Sequence, residues 1–169
     1  MFINEIKEKV NELRKQYSLD KVPVDLTKLL KKENIKVIER DFAKFENDVK
    51  KKISSMLYID NGSKLIFVDE SDNPRRKNFT VAHELGHYYL HGGKEASSEV
   101  LVSFRGDSNQ RETEANKFAA ELLLPDDKVE MEYKLAMFPT VSYLADKFNV
   151  SDQAMSIKLE QMGLSYIEL

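Results

Sequence analysis

All three histidines of this 169-residue chain lie within the segment VAHELGHYYLHG, residues 81–92. His83 and His87 are four residues apart, so on an α-helix both side chains project from one face, one turn apart. Glu84 lies about 100° further around the same helix. The spacing therefore predicts that this segment is helical, and that its two imidazoles converge on a single cation.

A metal at this position would give each residue of the motif a chemical use. Bound zinc lowers the pKa of its water to about 7, and a neighbouring carboxylate can then take the proton. Glu84 is placed for that role, because it faces the open side of the site without competing with His83 and His87 as a ligand. The alternative is a chance arrangement of surface histidines on an amphipathic helix.

The residues between the histidines favour the metal site over chance. Leu85, Gly86 and Tyr88 are uncharged, which is typical of a buried rather than a solvated stretch. A glycine in the middle of a helix costs about 1 kcal/mol relative to alanine. Gly86 therefore indicates that another part of the chain, or a substrate strand, passes close to the helix.

Two histidines do not complete a catalytic zinc site, which usually has three protein ligands. His91 is eight residues beyond His83, where the helix has rotated by about 80°. We therefore expect it to cap the helix or to donate a hydrogen bond to a ligand. The third ligand is expected to be a carboxylate on another element.

The segment RETEANKFAAELLLP, residues 111–125, is the expected source of that carboxylate. Its apolar positions predict a helix with one face inward, and its carboxylates are Glu112, Glu114 and Glu121. Glu112 and Glu114 flank the apolar arc on opposite sides, with Glu112 somewhat closer to its centre. Periodicity therefore leaves the choice open between these two residues.

The remaining patterns predict an α+β fold. A helix is expected over 2–17 and a short one ending at Lys32. A strand, IKVIE, and a hairpin with strands Met56–Ile59 and Leu65–Val68 follow, and form a small antiparallel sheet. The helix of the histidine motif begins with a cap at Ser71 or Asp72 and ends at Gly92, residues 94–108 are irregular, and a helix spans Gln110 to Leu124. We expect one domain over 1–135, with the N-terminal helix and the candidate metal site, and a small helical subdomain over 136–169 packed on it.

Composition excludes several other classes. The chain has no cysteine, so disulfides and thiolate ligands are absent. No apolar run approaches the roughly 20 residues of a membrane-spanning helix. The charged N-terminal segment is unlike a secretory signal, and we expect a cytoplasmic protein without membrane association. The net charge of −3 gives no reason to expect nucleic-acid binding.

The C-terminal segment TVSYLADKFNVSDQAMSIKLEQMGL has the outline of a helix-turn-helix. Its second helix offers Lys158 as its one cation, beside Glu160, whereas DNA recognition needs cations for phosphates and polar groups for base edges. We therefore expect this subdomain to pack on the core or to dock a protein substrate.

These motifs, in this order, resemble the ImmA/IrrE-type metallopeptidases, a gluzincin-like family. VPVDLTKLLKKENIKVI is similar to the family's N-terminal segment, NFTVAHELGHYYLHG to its active-site helix and ETEANKFAAELLLP to its second helix. Asn78 departs from the arginine that often precedes Phe-Thr in the family. The resemblance implies that His83, His87 and Glu114, the glutamate directly before Ala-Asn, are the metal ligands and that Glu84 is the catalytic base.

The resemblance also implies a function: a zinc-dependent endopeptidase that cleaves a specific protein partner. For members encoded with mobile elements the partner is a phage-type helix-turn-helix repressor, and others act in stress responses. Manganese could occupy the same ligands, and Tyr88 or Tyr89 could stabilise an oxyanion. The rival classes are a DNA-binding regulator with a non-catalytic metal site, and a toxin or sensor that acts through a partner without proteolysis.

Overall fold

The computed structural model describes residues 2–45 and 52–167 of the chain. Within them lie seven α-helices and four β-strands. The helices are α1 (Ile3–Tyr17), α2 (Thr27–Lys32), α3 (Pro74–Leu90), α4 (Gln110–Leu123), α5 (Asp126–Leu135), α6 (Val141–Phe148) and α7 (Asp152–Gln161). The strands are β1 (Ile35–Arg40), β2 (Ile53–Asp60), β3 (Ser63–Asp69) and β4 (Ser98–Phe104), and a short 3-10 helix spans Phe42–Phe45. The predicted α+β class is confirmed.

The hairpin of β2 and β3 forms where its turn residues predict it. Asn61 and Gly62 have φ of 45° and 87°, the left-handed values that a two-residue type I′ turn requires. The strands pair antiparallel from Asp60 opposite Ser63 to Ser55 opposite Val68. This hairpin forms the centre of the sheet.

The sheet is mixed, whereas an antiparallel sheet was expected. Its strand order is β1-β3-β2-β4, with β1 parallel to β3 and the other two pairs antiparallel. The difference arises because β1 pairs with the second strand of the hairpin and not with the first. Since β2 runs opposite to β3, a chain that reverses between β1 and β2 leaves β1 parallel to β3.

β4 lies in residues 94–108, which were expected to be irregular, so that expectation was wrong. It pairs with β2 along its length, from Ser98 opposite Asp60 to Phe104 opposite Ile53. The usual alternation is inverted here: Val100 is 54% exposed, whereas Ser103 is 3% exposed. A strand that buries serine and exposes valine does not show the hydrophobic period by which strands are recognised.

α3 packs across one face of the sheet, and α4 packs along α3. The sheet contributes Leu57, Ile59, Ile66 and Val68 to this core. A Cβ added at Gly86 would lie 2.9 Å from the Cα of Ala115 in α4. The expectation that another segment passes close to Gly86 is therefore confirmed, and that segment is α4.

The C-terminal helices contact the rest of the described chain through ion pairs. Lys158 of α7 is 2% exposed, and its Nζ lies 3.0 Å from Glu121 and 2.6 Å from Asp126. Arg75 at the start of α3 pairs with Asp146 of α6. The one cation of α7 is thus directed into the protein.

Among the described helices, none combines the length and the apolar character needed to cross a membrane.

Candidate metal centre

α3 carries both histidines at buried positions. The helix begins at Pro74, and the Asn73 side chain caps it by accepting a hydrogen bond from the N–H of Arg76 at 3.0 Å. The expected caps, Ser71 and Asp72, lie two residues and one residue before Asn73. His83 and His87 are 7% and 2% exposed, so the helix delivers two imidazoles into a space closed off from solvent.

α4 places Glu112 opposite the two histidines. Asn109 caps α4 by accepting a hydrogen bond from the N–H of Glu112 itself, at 3.0 Å, which fixes the first turn. The two carboxylate oxygens of Glu112 each lie 3.1 Å from an imidazole Nε2, one from that of His83 and one from that of His87. Among the described residues, His83, His87 and Glu112 form the group of side chains that could hold a metal ion.

The spacing of these donors suits a small divalent cation. The Nε2 atoms of His83 and His87 are 3.1 Å apart, the same as their distances to Glu112. Zinc bound tetrahedrally at about 2.0–2.1 Å holds its ligand atoms roughly 3.4 Å apart. Two imidazoles and one carboxylate are also a common catalytic zinc ligand set. The residues present therefore fit the ion that the sequence predicts.

Glu114, the ligand implied by the family resemblance, is not part of this group. Its carboxylate Oε2 lies 3.0 Å from Nε2 of His91, and its Oε1 accepts a hydrogen bond from Gln110 at 2.9 Å. The physical reason is the helix: residues two apart in sequence are about 200° apart around it. When Glu112 faces the histidine pair, Glu114 must face elsewhere. Of the two carboxylates left open by periodicity, the structure brings Glu112 to His83 and His87.

Asn116, which is not among the predicted site residues, contacts the opposite side of the His83 ring. Its Oδ1 lies 2.9 Å from Nδ1 of His83. An amide oxygen accepts, so Nδ1 carries the proton and Nε2 presents its lone pair to the ligand group. The i, i+4 spacing of Glu112 and Asn116, which matches that of the two histidines, is the signal that could have identified both.

Glu84 is fully buried beside the histidines and is held by two serines from the sheet. Its Oε1 accepts hydrogen bonds from Ser55 at 2.5 Å and from Ser103 at 3.1 Å. Ser55 and Ser103 are directly opposite each other on β2 and β4. The Ser103 hydroxyl also lies 3.5 Å from Nε2 of His83. Within the described part of the chain, Oε2 of Glu84 has no hydrogen-bond partner.

Burial and the opposing charges shift the pKa values of these groups in different directions. Burial raises the pKa of Glu84. For Glu112, burial alone would raise the pKa, but the interactions with the His83 and His87 imidazoles outweigh it and hold the pKa well below its usual range. A carboxylate that stays ionised is suited to ligation, and one with a raised pKa is suited to exchanging a proton.

The two tyrosines considered for oxyanion stabilisation make other contacts. The Tyr88 hydroxyl donates to Glu33 at 2.8 Å and accepts from Lys64 at 2.6 Å. The Tyr89 ring stacks on Phe118 with centroids 6.2 Å apart. Neither set of contacts involves His83, His87 or Glu112. In the structure both tyrosines therefore contribute to the packing and hydrogen bonding of α3.

The sequence matches a known family over most of the chain. A sequence profile of the IrrE N-terminal-like domain, Peptidase_M78, matches residues 30–160. That range includes α3, α4, the whole sheet and most of the C-terminal helices.

Three known proteins are similar to parts of the chain. Metallopeptidase ImmA of Bacillus subtilis is 28% identical over 110 residues, 65% of this chain and 64% of the relative. The radiation response metalloprotease IrrE of Deinococcus radiodurans is 26% identical over 94 residues, 54% of this chain and 25% of the relative. The uncharacterized immunity region protein 2 of Bacillus phage phi105 is 37% identical over 82 residues, 47% of this chain and 49% of the relative. The chain spans less than two thirds of the length of each relative.

Proposed function

Because this chain belongs to the Peptidase_M78 family of IrrE N-terminal-like domains, we propose that it is a zinc-dependent endopeptidase in which His83, His87 and Glu112 hold the metal and Glu84 is the catalytic base. One observation carries this proposal: two buried imidazoles and one buried carboxylate from two helices lie within 3.1 Å of one another, and the buried carboxylate of Glu84 lies beside them.

The chemistry follows from the position of Glu84. When bound, zinc would supply Lewis acidity to polarise the scissile carbonyl and to acidify water. Glu84 would take a proton from the attacking water through Oε2, the oxygen that Ser55 and Ser103 leave unoccupied. It would then return that proton to the leaving amine nitrogen. The serines hold the carboxylate still between these two transfers.

The sheet offers a place for an extended peptide. β4 pairs with β2 on one side, and no strand in the described ranges pairs with its other side. Ser103 of this strand contacts Glu84, so the edge runs beside the proposed catalytic base. A peptide that added to this edge by β-augmentation would bring its carbonyls alongside the ligand group.

The proposed substrate is a protein partner, specifically a helix-turn-helix repressor of the phage type. Support comes from the resemblance to ImmA/IrrE-type proteins and from the similarity to an immunity region protein of a phage. The rival proposal, direct DNA recognition by α7, loses support because Lys158 is buried in ion pairs with Glu121 and Asp126. A small C-terminal subdomain over 136–169 remains a proposal, with a role in docking the substrate.

The experiment compares zinc-loaded wild type with Glu84→Gln, which keeps every metal ligand. Each purified, zinc-loaded protein is incubated with a set of purified phage-type repressors, and new protein N-termini are identified by mass spectrometry. We expect a new terminus within one repressor in the presence of wild type and none with Glu84→Gln, although both bind zinc equally. Equal cleavage by both proteins would remove Glu84 from the mechanism. Repetition with manganese in place of zinc identifies the working metal.

A further inference from the structure

A series of side-chain contacts leads from the ligand group, through the end of α3, to Glu114 near the start of α4. Nδ1 of His87 lies 2.9 Å from Nδ1 of His91, and Nε2 of His91 lies 3.0 Å from Oε2 of Glu114. The three side chains are 3%, 6% and 10% exposed, respectively. None of these contacts is used by the mechanism proposed above.

The proton positions along this series of contacts are fixed by its first and last members, His87 and Glu114. A His87 that binds a metal through Nε2 has no proton on that atom, so its neutral ring carries the proton on Nδ1 and donates it. His91 must then accept at its own Nδ1, which places its proton on Nε2. That Nε2–H points at Glu114, and an ionised carboxylate can only accept. Every contact has one donor and one acceptor in this arrangement alone.

The backbone holds His91 in place for this role. As the cap residue of α3, His91 donates its N–H to the carbonyl of His87 at 3.0 Å. Its own carbonyl accepts a hydrogen bond from Arg111 of α4 at 3.2 Å. His91 is thus anchored to both helices, and its ring bridges the gap between a ligand on α3 and a carboxylate on α4.

We infer that His91 and Glu114 are positioning residues that orient His87 as a metal ligand and fix its tautomer. This inference rests on the metal site of the proposed function. In this arrangement Glu114 does not bind the metal but holds His91, which in turn orients His87. The contact between Asn116 and His83 orients the other histidine in the same way. Partners of this kind raise metal affinity by holding the ligand ring in its binding orientation.

The first test measures zinc affinity by competition with a chromophoric chelator. We expect His91→Ala and Glu114→Ala each to bind one zinc per chain, about 10- to 100-fold more weakly than wild type. Glu114→Gln keeps an oxygen that can accept from His91, so it should recover most of the affinity. Thr113→Ala, an exposed position between Glu112 and Glu114, is the matched control and should bind like wild type.

The second test uses the intact zinc-loaded protein and needs no variant. The chain has three histidines, so long-range 15N–1H correlation spectra of ¹⁵N-histidine-labelled protein are simple to assign. We expect the proton on Nδ1 of His87 and on Nε2 of His91. A proton on Nδ1 of His91, or unchanged zinc affinity in both alanine variants, would overturn the inference.

The two proposals fail in different ways. If wild type binds zinc and both alanine variants, at His91 and at Glu114, bind it equally well, the orienting role is wrong and the metallopeptidase proposal stands. If wild type binds zinc with the expected tautomers but Glu84→Gln cleaves as well as wild type, the catalytic proposal is wrong. The orienting role of His91 and Glu114 then stands. If wild type binds no zinc, both are wrong.

Discussion

Gly86 is the position at which the packing of α3 on α4 can be tested most sharply. An alanine Cβ there would lie 2.9 Å from the Cα, 3.1 Å from the carbonyl oxygen and 3.3 Å from the Cβ of Ala115. Non-bonded carbons rest about 3.5–4.0 Å apart, so Gly86→Ala requires the helices to separate by roughly 0.6–1 Å. The nearest atoms belong to the backbone, so no side-chain rotation relieves the contact.

The change in the free energy of unfolding that we expect for Gly86→Ala is the sum of two opposing contributions. Overpacking of this size costs about 1–3 kcal/mol, and replacing a mid-helix glycine by alanine recovers about 1 kcal/mol. We therefore expect Gly86→Ala to lower the free energy of unfolding of the metal-free protein by about 1 kcal/mol, measured by urea denaturation. The double variant Gly86→Ala/Ala115→Gly should recover little of this loss, since Cα and the carbonyl oxygen of residue 115 remain.

The same displacement acts on the metal centre, because α3 carries both histidines and α4 carries Glu112. A functional site tolerates about 0.5 Å of displacement, so zinc affinity should fall at least about tenfold, as it does on loss of an orienting partner. Chelator competition provides the measurement. A variant that is about 1 kcal/mol more stable than wild type, the propensity gain alone, with wild-type zinc affinity would refute this account of Gly86.

Three further predictions concern buried or partly buried polar groups. Ser55→Ala removes one of the two hydrogen bonds to the buried carboxylate of Glu84. It should lower the free energy of unfolding in urea by about 1–2 kcal/mol and leave the zinc content at the wild-type level. An unchanged free energy of unfolding would mean that Ser103 alone suffices. Lys158→Met leaves Glu121 buried and without its closest partner, and should lower the free energy of unfolding by about 3 kcal/mol. The double variant Lys158→Met/Glu121→Leu should regain most of this stability. Additive losses in the double variant would contradict the pairing. Although burial opposes it, hydrogen bonds from Tyr17, Tyr88 and Lys94 lower the pKa of Glu33 from 4.5 to about 2, so its contribution is complete above pH 4.5 and is lost as the pH falls towards 2. Glu33→Gln should therefore be about 2 kcal/mol less stable than wild type at pH 7, and the gap should close over that pH range; a constant gap would contradict the shift.

Local spacing was enough to predict the half of the site that lies on α3. His83, Glu84 and His87 belong to one helix, and a helix fixes the relative directions of residues three and four apart. The hairpin at Asn61 and Gly62 was predicted for the same reason, because its turn chemistry is encoded in adjacent residues.

The other half of the site depends on how separate elements meet, and local periodicity does not contain that information. Glu112 and Glu114 flank one apolar arc, and only the approach of α4 to Gly86 decides which of them faces the histidines. β4 was missed because it exposes Val100 and buries Ser103, against the usual pattern. The serine that contacts Glu84 could be identified only once the strand was placed.

The central claim is that Glu112, and not Glu114, completes the metal site with the two histidines of α3. The most direct test is the metal content of wild type, Glu112→Ala and Glu114→Ala, purified without chelators and after zinc is added back, by elemental mass spectrometry. We predict about one zinc per chain for a single three-ligand site in wild type, loss of zinc in Glu112→Ala, and retained but weaker binding in Glu114→Ala. Zinc lost in Glu114→Ala and kept in Glu112→Ala would contradict the account.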